Sequence, residues 1–334
     1  MSKTNSIATL LPDLVNSAWA FRNKIINGSA AIAQRPSLVA STGVQGYGGP
    51  DRYFSGNLNA AGGQFTQSQG TLTYNGTSHN AVVQTVNTAI ATTTSNNIWL
   101  GIQQSILGAN CYDLLGQAVA ISFLFAANTA GIYSLALRDG DGANSWVTTF
   151  FAPANVTQKI IIPVSVLPAN LNTSNNSFAG LLVNVGGINT GSVTTSTLGA
   201  WQGGSFYVAN TATNWGTSIG NFIAITNLQL EAGPAATTFE NRPNELALCQ
   251  PYCETGTIQF PGVATASAQV LGQTVPFKAT KISSPTMTYT TTLNTNCSAT
   301  LVFSPVSDSF LVTSTSVAAG AMQFNATWLA SDEL

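Results

Sequence analysis

From Ile25 to Leu230 the chain never runs far before Gly, Asn or Pro interrupts it. What lies between the breaks reads as strand: "GTLTYNG", "NAVVQTVNT", "NIWLGIQQSI", "AVAISFLFA", "GIYSLALRDG", "SWVTTFFAP", "KIIIPVSVL", "FAGLLVNVGG", "GSFYVAN" and "FIAITNLQLEAG". Short β-rich segments at this spacing have few ways to bury their apolar faces. They predict an all-β chain folded as a two-sheet sandwich of the jelly-roll kind. The longest uncharged apolar run, Leu114 to Leu137, obeys the same rule. Val119, Ile121, Phe123 and Phe125 point one way, Ala118, Ala120 and Ser122 the other. Tyr133, Leu135 and Leu137 resume the alternation after Asn-Thr-Ala-Gly. With Asn128, Thr129 and Gly131 in mid-run, this predicts a buried hairpin rather than a membrane span.

Composition narrows the partners. Only 7% of residues are charged, against roughly 25% in ordinary soluble proteins. The polar surface must come from Thr, Ser, Asn and Gln, which favour strands and turns over helix. Net charge is −2, and ten Lys plus Arg are scattered without a basic run. That excludes the cationic footprint that nucleic acid requires. Neutral partners fit instead: sugars and further copies of the same chain. The opening "MSKTNSIATLLPDLVNSAWAF" is broken by Pro12 and Asp13 and makes a poor signal peptide. Cys111, Cys249, Cys253 and Cys297 have no zinc-type spacing. They read as packing thiols kept reduced in a cytoplasm, with Cys249 and Cys253 one helical turn apart. No cofactor or metal is expected.

Four segments emerge. Residues 1–24 carry the clearest helix, with Leu11, Leu14, Val15, Ala18 and Trp19 on one stripe. So short a helix must pack on its own domain, on sister helices or on a docking partner. Residues 25–240 hold the sandwich. Residues 241–253 form a linker, in which "NRPNELALCQP" is a helix of one or two turns ended by Pro251, and Arg242 is expected to pair with Glu240 or Glu231 or to cap strand-end carbonyls. Residues 254–334 add five or six strands, a marginal sandwich of its own unless it oligomerises. Its Thr-rich strands leave bare edges, which proteins cover by pairing or assembly.

Several stretches then resemble a known family. "NKIINGSAAIAQRPS", "GGPDRYF", "LLGQAVAISFLFAANTAGIYSLALRDG", "LGAWQGG" and "NLQLEAGPAATTFENRPNELALCQPY" occur in that order, with "FKATKISSPTMT" and "WLASDEL" near the end. Together they resemble tail-fibre and head-spike proteins of tailed bacteriophages. Tyr53 stands where that family usually has Trp, and Cys253 where it usually has Tyr. The resemblance implies a carbohydrate-binding-module-like jelly roll followed by a small β tip. It also implies a homotrimeric appendage of the virion that contacts the host surface. The N-terminal stripe Leu11, Leu14, Val15 and Trp19 would then dock to other virion structural proteins. Location on tail or head stays open, and with it a mainly structural role as a head fibre or capsid decoration. A polysaccharide depolymerase is the remaining reading.

Catalysis finds little footing. There is one His, the twelve carboxylates are scattered, and Asp139 and Asp141 are neighbours in one turn. Glycoside cleavage needs two carboxylates on opposite sides of a bond. "RDGDGANSW" imitates the start of a calcium loop, but no Glu closes it, and Asp-Gly reads as a hairpin turn. His79 reads as a polar loop-tip residue. Sugar binding needs flat aromatics beside amides and hydroxyls. The candidates for a host surface glycan are Trp99, Gln103, Trp146, Trp201, Tyr207 and Trp215. Trp99 shares strand parity with Gln103, opposite Ile98, Leu100 and Ile102. For each Trp a second reading stands: a ring that covers the core edge or a subunit interface.

Overall fold

The computed structural model describes residues 21–58, 63–90, 98–99, 101–171, 179–189, 193–298 and 301–333. The expected helix, with Leu11, Leu14, Val15 and Trp19, lies outside the described residues. Two sheets form the larger sandwich; strands are numbered in chain order. The first has six strands in the order β1 (Leu38–Ala40), β4 (Gln64–Tyr74), β5 (Thr77–Thr88), β17 (Phe222–Ala232), β8 (Val119–Ala127) and β11 (Gln158–Val164). The second has seven: β15 (Trp201–Gly203), β10 (Asn144–Ala152), β9 (Gly131–Asp139), β12 (Ala179–Val185), β7 (Ile102–Leu107), β3 (Tyr53–Gly56) and β2 (Gln45–Tyr47). Two small pairs flank them, β6 (Ile98–Trp99) with β13 (Ile188–Asn189) and β14 (Thr194–Thr195) with β16 (Val208–Ala209). The all-β sandwich read from the sequence is what the chain forms.

The core between the sheets comes from strict alternation. Val119, Ile121, Phe123 and Phe125 on β8 face Tyr133, Leu135 and Leu137 on β9, with Ile223, Ile225 and Leu230 of β17 beside them. Phe125, Tyr133 and Phe150 pack with ring centroids 4.8 to 6.1 Å apart. The alternation is right, but the expected hairpin is not. β8 pairs with β17 and β11, β9 with β10 and β12, so the Asn128–Ala130 turn arches from one sheet to the other. The physical reason is that each strand already has two neighbours, and the shared apolar faces meet across the core rather than side by side. Asn128 fixes the arch, accepting from the Phe222 amide at 2.9 Å and donating to the Gly220 carbonyl at 3.1 Å. The β4–β5 hairpin turns on Asn75 and Gly76, both at positive φ (50° and 77°), as a two-residue turn requires.

A second core lies in the C-terminal sandwich. One of its sheets has the order β18 (Cys253–Ala264), β23 (Gly320–Ser331) and β20 (Thr286–Thr295). The other has β19 (Val270–Pro276), β22 (Ser309–Thr315) and β21 (Val302–Pro305). Phe310, Phe324, Met322, Ile258 and Trp328 fill the space between them. Between the two sandwiches comes α2 (Glu245–Cys249), following α1 (Gly108–Cys111) earlier in the chain.

The joint is where this charge-poor chain spends its charge. Glu333 accepts from Arg35 at 3.0 Å and also from Arg52, all three side chains being at most 5% exposed. Arg52 stacks on Tyr252 at 3.5 Å. Lys281 pairs with Glu254 and donates to the Gln250 carbonyl, at 2.6 and 2.7 Å. Glu245 accepts from the Asn27 amide at 2.7 Å. Arg242 lies 3.8 Å from Glu240, whereas Glu231 pairs with Arg22. Cys249 ends α2, but Cys253 opens β18, so the two do not share a helix turn. All four thiols are buried and free. Burial pushes Cys111 and Cys253 up to about 12, which leaves them protonated and inert.

Candidate functional site

The outward face of the seven-stranded sheet carries a set of polar side chains. On β7, Ile102 and Ile106 point into the core, so Gln103 and Ser105 point outward. Register then builds two transverse rows on that face. The first runs Tyr47, Phe54, Gln103, Asn184, Ala136 and Val147. The second runs Ser105, Leu182, Arg138, Ser145 and Gln202. With strands about 4.8 Å apart, β7, β12 and β9 together span about 10 Å, the width of one or two sugar rings.

Most of these side chains have structural work. Gln202 accepts from Thr195 Oγ1 at 2.9 Å and donates to the Thr197 carbonyl at 3.0 Å, fixing its own turn. Ser145 Oγ accepts from the Phe206 amide, and Tyr47 packs edge-on against Phe54. Two do not. Gln103, 6% exposed, makes no side-chain hydrogen bond with any described residue. Arg138, 8% exposed, stacks its guanidinium on Tyr207 at 3.9 Å, and among the described residues it makes no ion pair and its Nε has no partner. Its neighbour Asp139 is turned away: both carboxylate oxygens accept from Asn144, at 2.9 and 2.7 Å. Asp141 accepts from the Ala143 amide. The Asp-Gly stretch is thus a turn held by its own backbone. Burial pulls Arg138 below the ordinary arginine range, offset in part by Tyr207 and Asp139.

Of the residues singled out in the sequence, Gln103 and Tyr207 lie on or over this face. Trp146 and Trp215 do not, correcting their reading as sugar platforms. Trp146 is 4% exposed in the core, because β10 turns it inward with Phe150. Trp215 is fully buried, its Nε1 donating to the Gly186 carbonyl at 2.8 Å. Its polar neighbours Thr213 and Asn214 hid that from the sequence, since they are used locally. Asn214 accepts from Gly216, and Thr213 Oγ1 accepts from the Ile132 amide. Trp201 lies opposite Trp146 on the inner parity, half-buried, donating to the Val166 carbonyl at 3.1 Å. Trp99 pairs through its backbone with Ile188, and its side chain lies outside the described residues. Between this pair and β7 lies Gly101, with a φ of +69°. A Cβ on Gly101 would sit 2.4 Å from the Val185 carbonyl oxygen. Arg138 was missed; the signal available was a lone cation inside an alternating apolar strand.

Hollows also open on the surface of the described residues. One of about 510 Å³ runs along the outer face of β18, β23 and β20, lined by Thr255, Thr257, Thr288, Thr290 and Thr327 beside Gln34. Another of about 680 Å³ opens where the described chain begins, between Phe21, Lys24, Tyr112, Arg242 and Leu248.

No protein-family model matches the chain, and no curated protein matches its sequence. Among solved structures, the chain is similar to the tailspike protein 4 enzymatically active domain of bacteriophage CBA120, at 13% identity and a TM-score of 0.34. That match covers 64% of this chain and 22% of the other. It is similar to a cyclase from Fischerella sp. TAU at 11% identity and a TM-score of 0.33, covering 63% of this chain and 96% of that one. It is also similar to the CBM22-1 xylan-binding domain from Paenibacillus barcinonensis Xyn10C, at 13% identity and a TM-score of 0.28, covering 61% and 100%. With identities this low, function has to be read from this chain's own residues.

Proposed function

We propose that this chain is a virion appendage that attaches a bacteriophage to host surface glycans without cleaving them. Its sugar-binding surface is the outer face of the seven-stranded sheet, around Gln103, Arg138 and Tyr207. The observation that carries this reading is the contrast between acids and amides. Every carboxylate among the described residues is engaged: Asp51 by Gln34, Asp113 by Lys24, Glu231 by Thr237, Glu240 by Asn23, Asp308 by Ser309, Asp332 by Ser283, and the rest as given above. Carboxylates committed to partners in this way are less available as the acid and base that glycoside cleavage demands, which supports a non-cleaving role. The Gln103 amide, by contrast, makes no hydrogen bond within the described protein, and amides are what hydroxyl-rich ligands satisfy.

Single sugar sites bind weakly, because polar groups exchange water for partner with little net gain. Repetition on a homotrimer, and on many appendages of one particle, turns weak sites into firm attachment. The purified chain should therefore bind bacterial surface polysaccharides on an array and release no reducing ends from them. Gln103→Ala should weaken that binding. Release of reducing ends would make the chain a depolymerase. Silence across the array would favour a structural role on the capsid, which the exposed Val270, Val302 and Leu311 of the C-terminal sandwich support. Antibody labelling of intact particles would then place it on head or tail.

A further inference from the structure

Resting on the sugar-binding reading above, we propose that Arg138 and Tyr207 form a subsite for a carboxylate-bearing sugar, a uronic or sialic acid residue. Each of the other buried cations among the described residues is paired with a carboxylate. Arg35 and Arg52 share Glu333, Lys281 has Glu254, and Arg242 has Glu240. Arg52 and Arg242 also keep an Nε without a hydrogen-bond partner, yet each guanidinium has a carboxylate beside it. Among the described residues Arg138, 8% exposed, has no ion pair and no hydrogen bond, and it is held flat by a ring at 3.9 Å.

A buried, unpaired charge is costly, and replacing it by an apolar side chain of similar size is ordinarily neutral or stabilising. Its presence is explained by a partner that arrives from outside. Around the guanidinium lie groups suited to a sugar. The Ser205 and Tyr207 hydroxyls make no hydrogen bond with any described residue. Gly142, at φ +71°, leaves room where a Cβ would come within 2.8 Å of Arg138 Nη2 and 3.2 Å of Ser205 Oγ. A ring standing on one face of the guanidinium leaves the planar N–H edge for the ligand. One fork with no second cation beside it matches a single planar carboxylate; a phosphate, with more charge and a tetrahedral shape, calls for further donors.

The test is calorimetric titration of the full chain with glucuronate-, galacturonate- and sialate-containing oligosaccharides, each paired with its carboxyl-reduced form. The expected result is a preference of about tenfold or more for the acid form, the scale of a hydrogen-bonded charge, weakening as salt rises. Arg138→Gln should abolish the preference without lowering the thermal midpoint. Arg138→Lys should keep only part of it, since a lysine offers charge without the fork. Equal affinity for acid and reduced forms would overturn this inference and leave sugar binding standing. So would tighter binding of glycerol-phosphate oligomers. Binding of no saccharide at all would overturn both. Should Arg138→Gln fail to fold, the paired sugars on the native chain still decide, and that failure would itself count against the subsite by giving Arg138 a structural role.

Discussion

Trp215 and Gln103 show at the residue scale how burial reverses a local reading. Trp215 sits among Thr and Asn in sequence, yet it is fully enclosed and bonded to Gly186. Trp215→Ala should therefore cost about 3–5 kcal/mol of folding stability, the scale of a deleted buried aromatic, measured by urea denaturation. A sugar platform at the surface would lose binding and almost no stability. Gln103 needed only strand alternation to be placed on the outer face. Arg138 was legible in kind, as a cation between Leu137 and Asp139. Its isolation was not, because Asp139 follows it in sequence and only the fold shows that Asn144 takes both oxygens.

At the scale of elements, the strands were readable because alternation reports directly on a two-faced sheet. Their partners were not. The β8–β9 arch and the Gly101 conformation depend on contacts made far along the chain, with β17, β11 and Val185. The joint was visible as a short helix ended by Pro251, but its dependence on Glu333, near the end of the chain, was not. Glu333→Gln should leave Arg35 and Arg52 buried beside a neutral amide. A loss of about 3–5 kcal/mol is expected on breaking so buried a pair, read as a lower denaturation midpoint.

Glu245 gives the joint a pH signature. Burial raises its carboxyl above the ordinary glutamate range, against smaller opposing effects of the Asn27 amide and Arg242. A raised folded-state pKa means a contribution fully present below the unfolded value and lost as pH rises through the folded one. Glu245→Gln keeps an oxygen for the Asn27 amide and removes that loss. Relative to the native chain, the variant should gain stability as pH rises from about 4 to neutrality. A difference that stays constant across that range would show that Glu245 does not titrate in this way.

The whole molecule presents two sandwiches, one with a polar strip across its larger sheet and one with an uncharged outer face. On the latter, Val270, Val302 and Leu311 are 40 to 61% exposed on β19, β21 and β22. Among the described residues both three-stranded sheets end in edge strands that hydrogen-bond to no further strand, the feature that proteins cover by assembly. If the proposed trimer forms through this sandwich, native mass measurement should give three copies, and Val302→Lys with Leu311→Lys should release monomers that stay folded. A native chain that is monomeric at micromolar concentration would remove the avidity argument.

Hydrogen–deuterium exchange of the full chain, with and without a saturating array-selected bacterial surface polysaccharide, tests the glycan-binding face most directly. Protection should concentrate on β7, β12, β9 and residues 203–207, with the polysaccharide recovered at its original length. Protection confined to the threonine-lined hollow on β18, β23 and β20, or a shortened polysaccharide, would contradict the account.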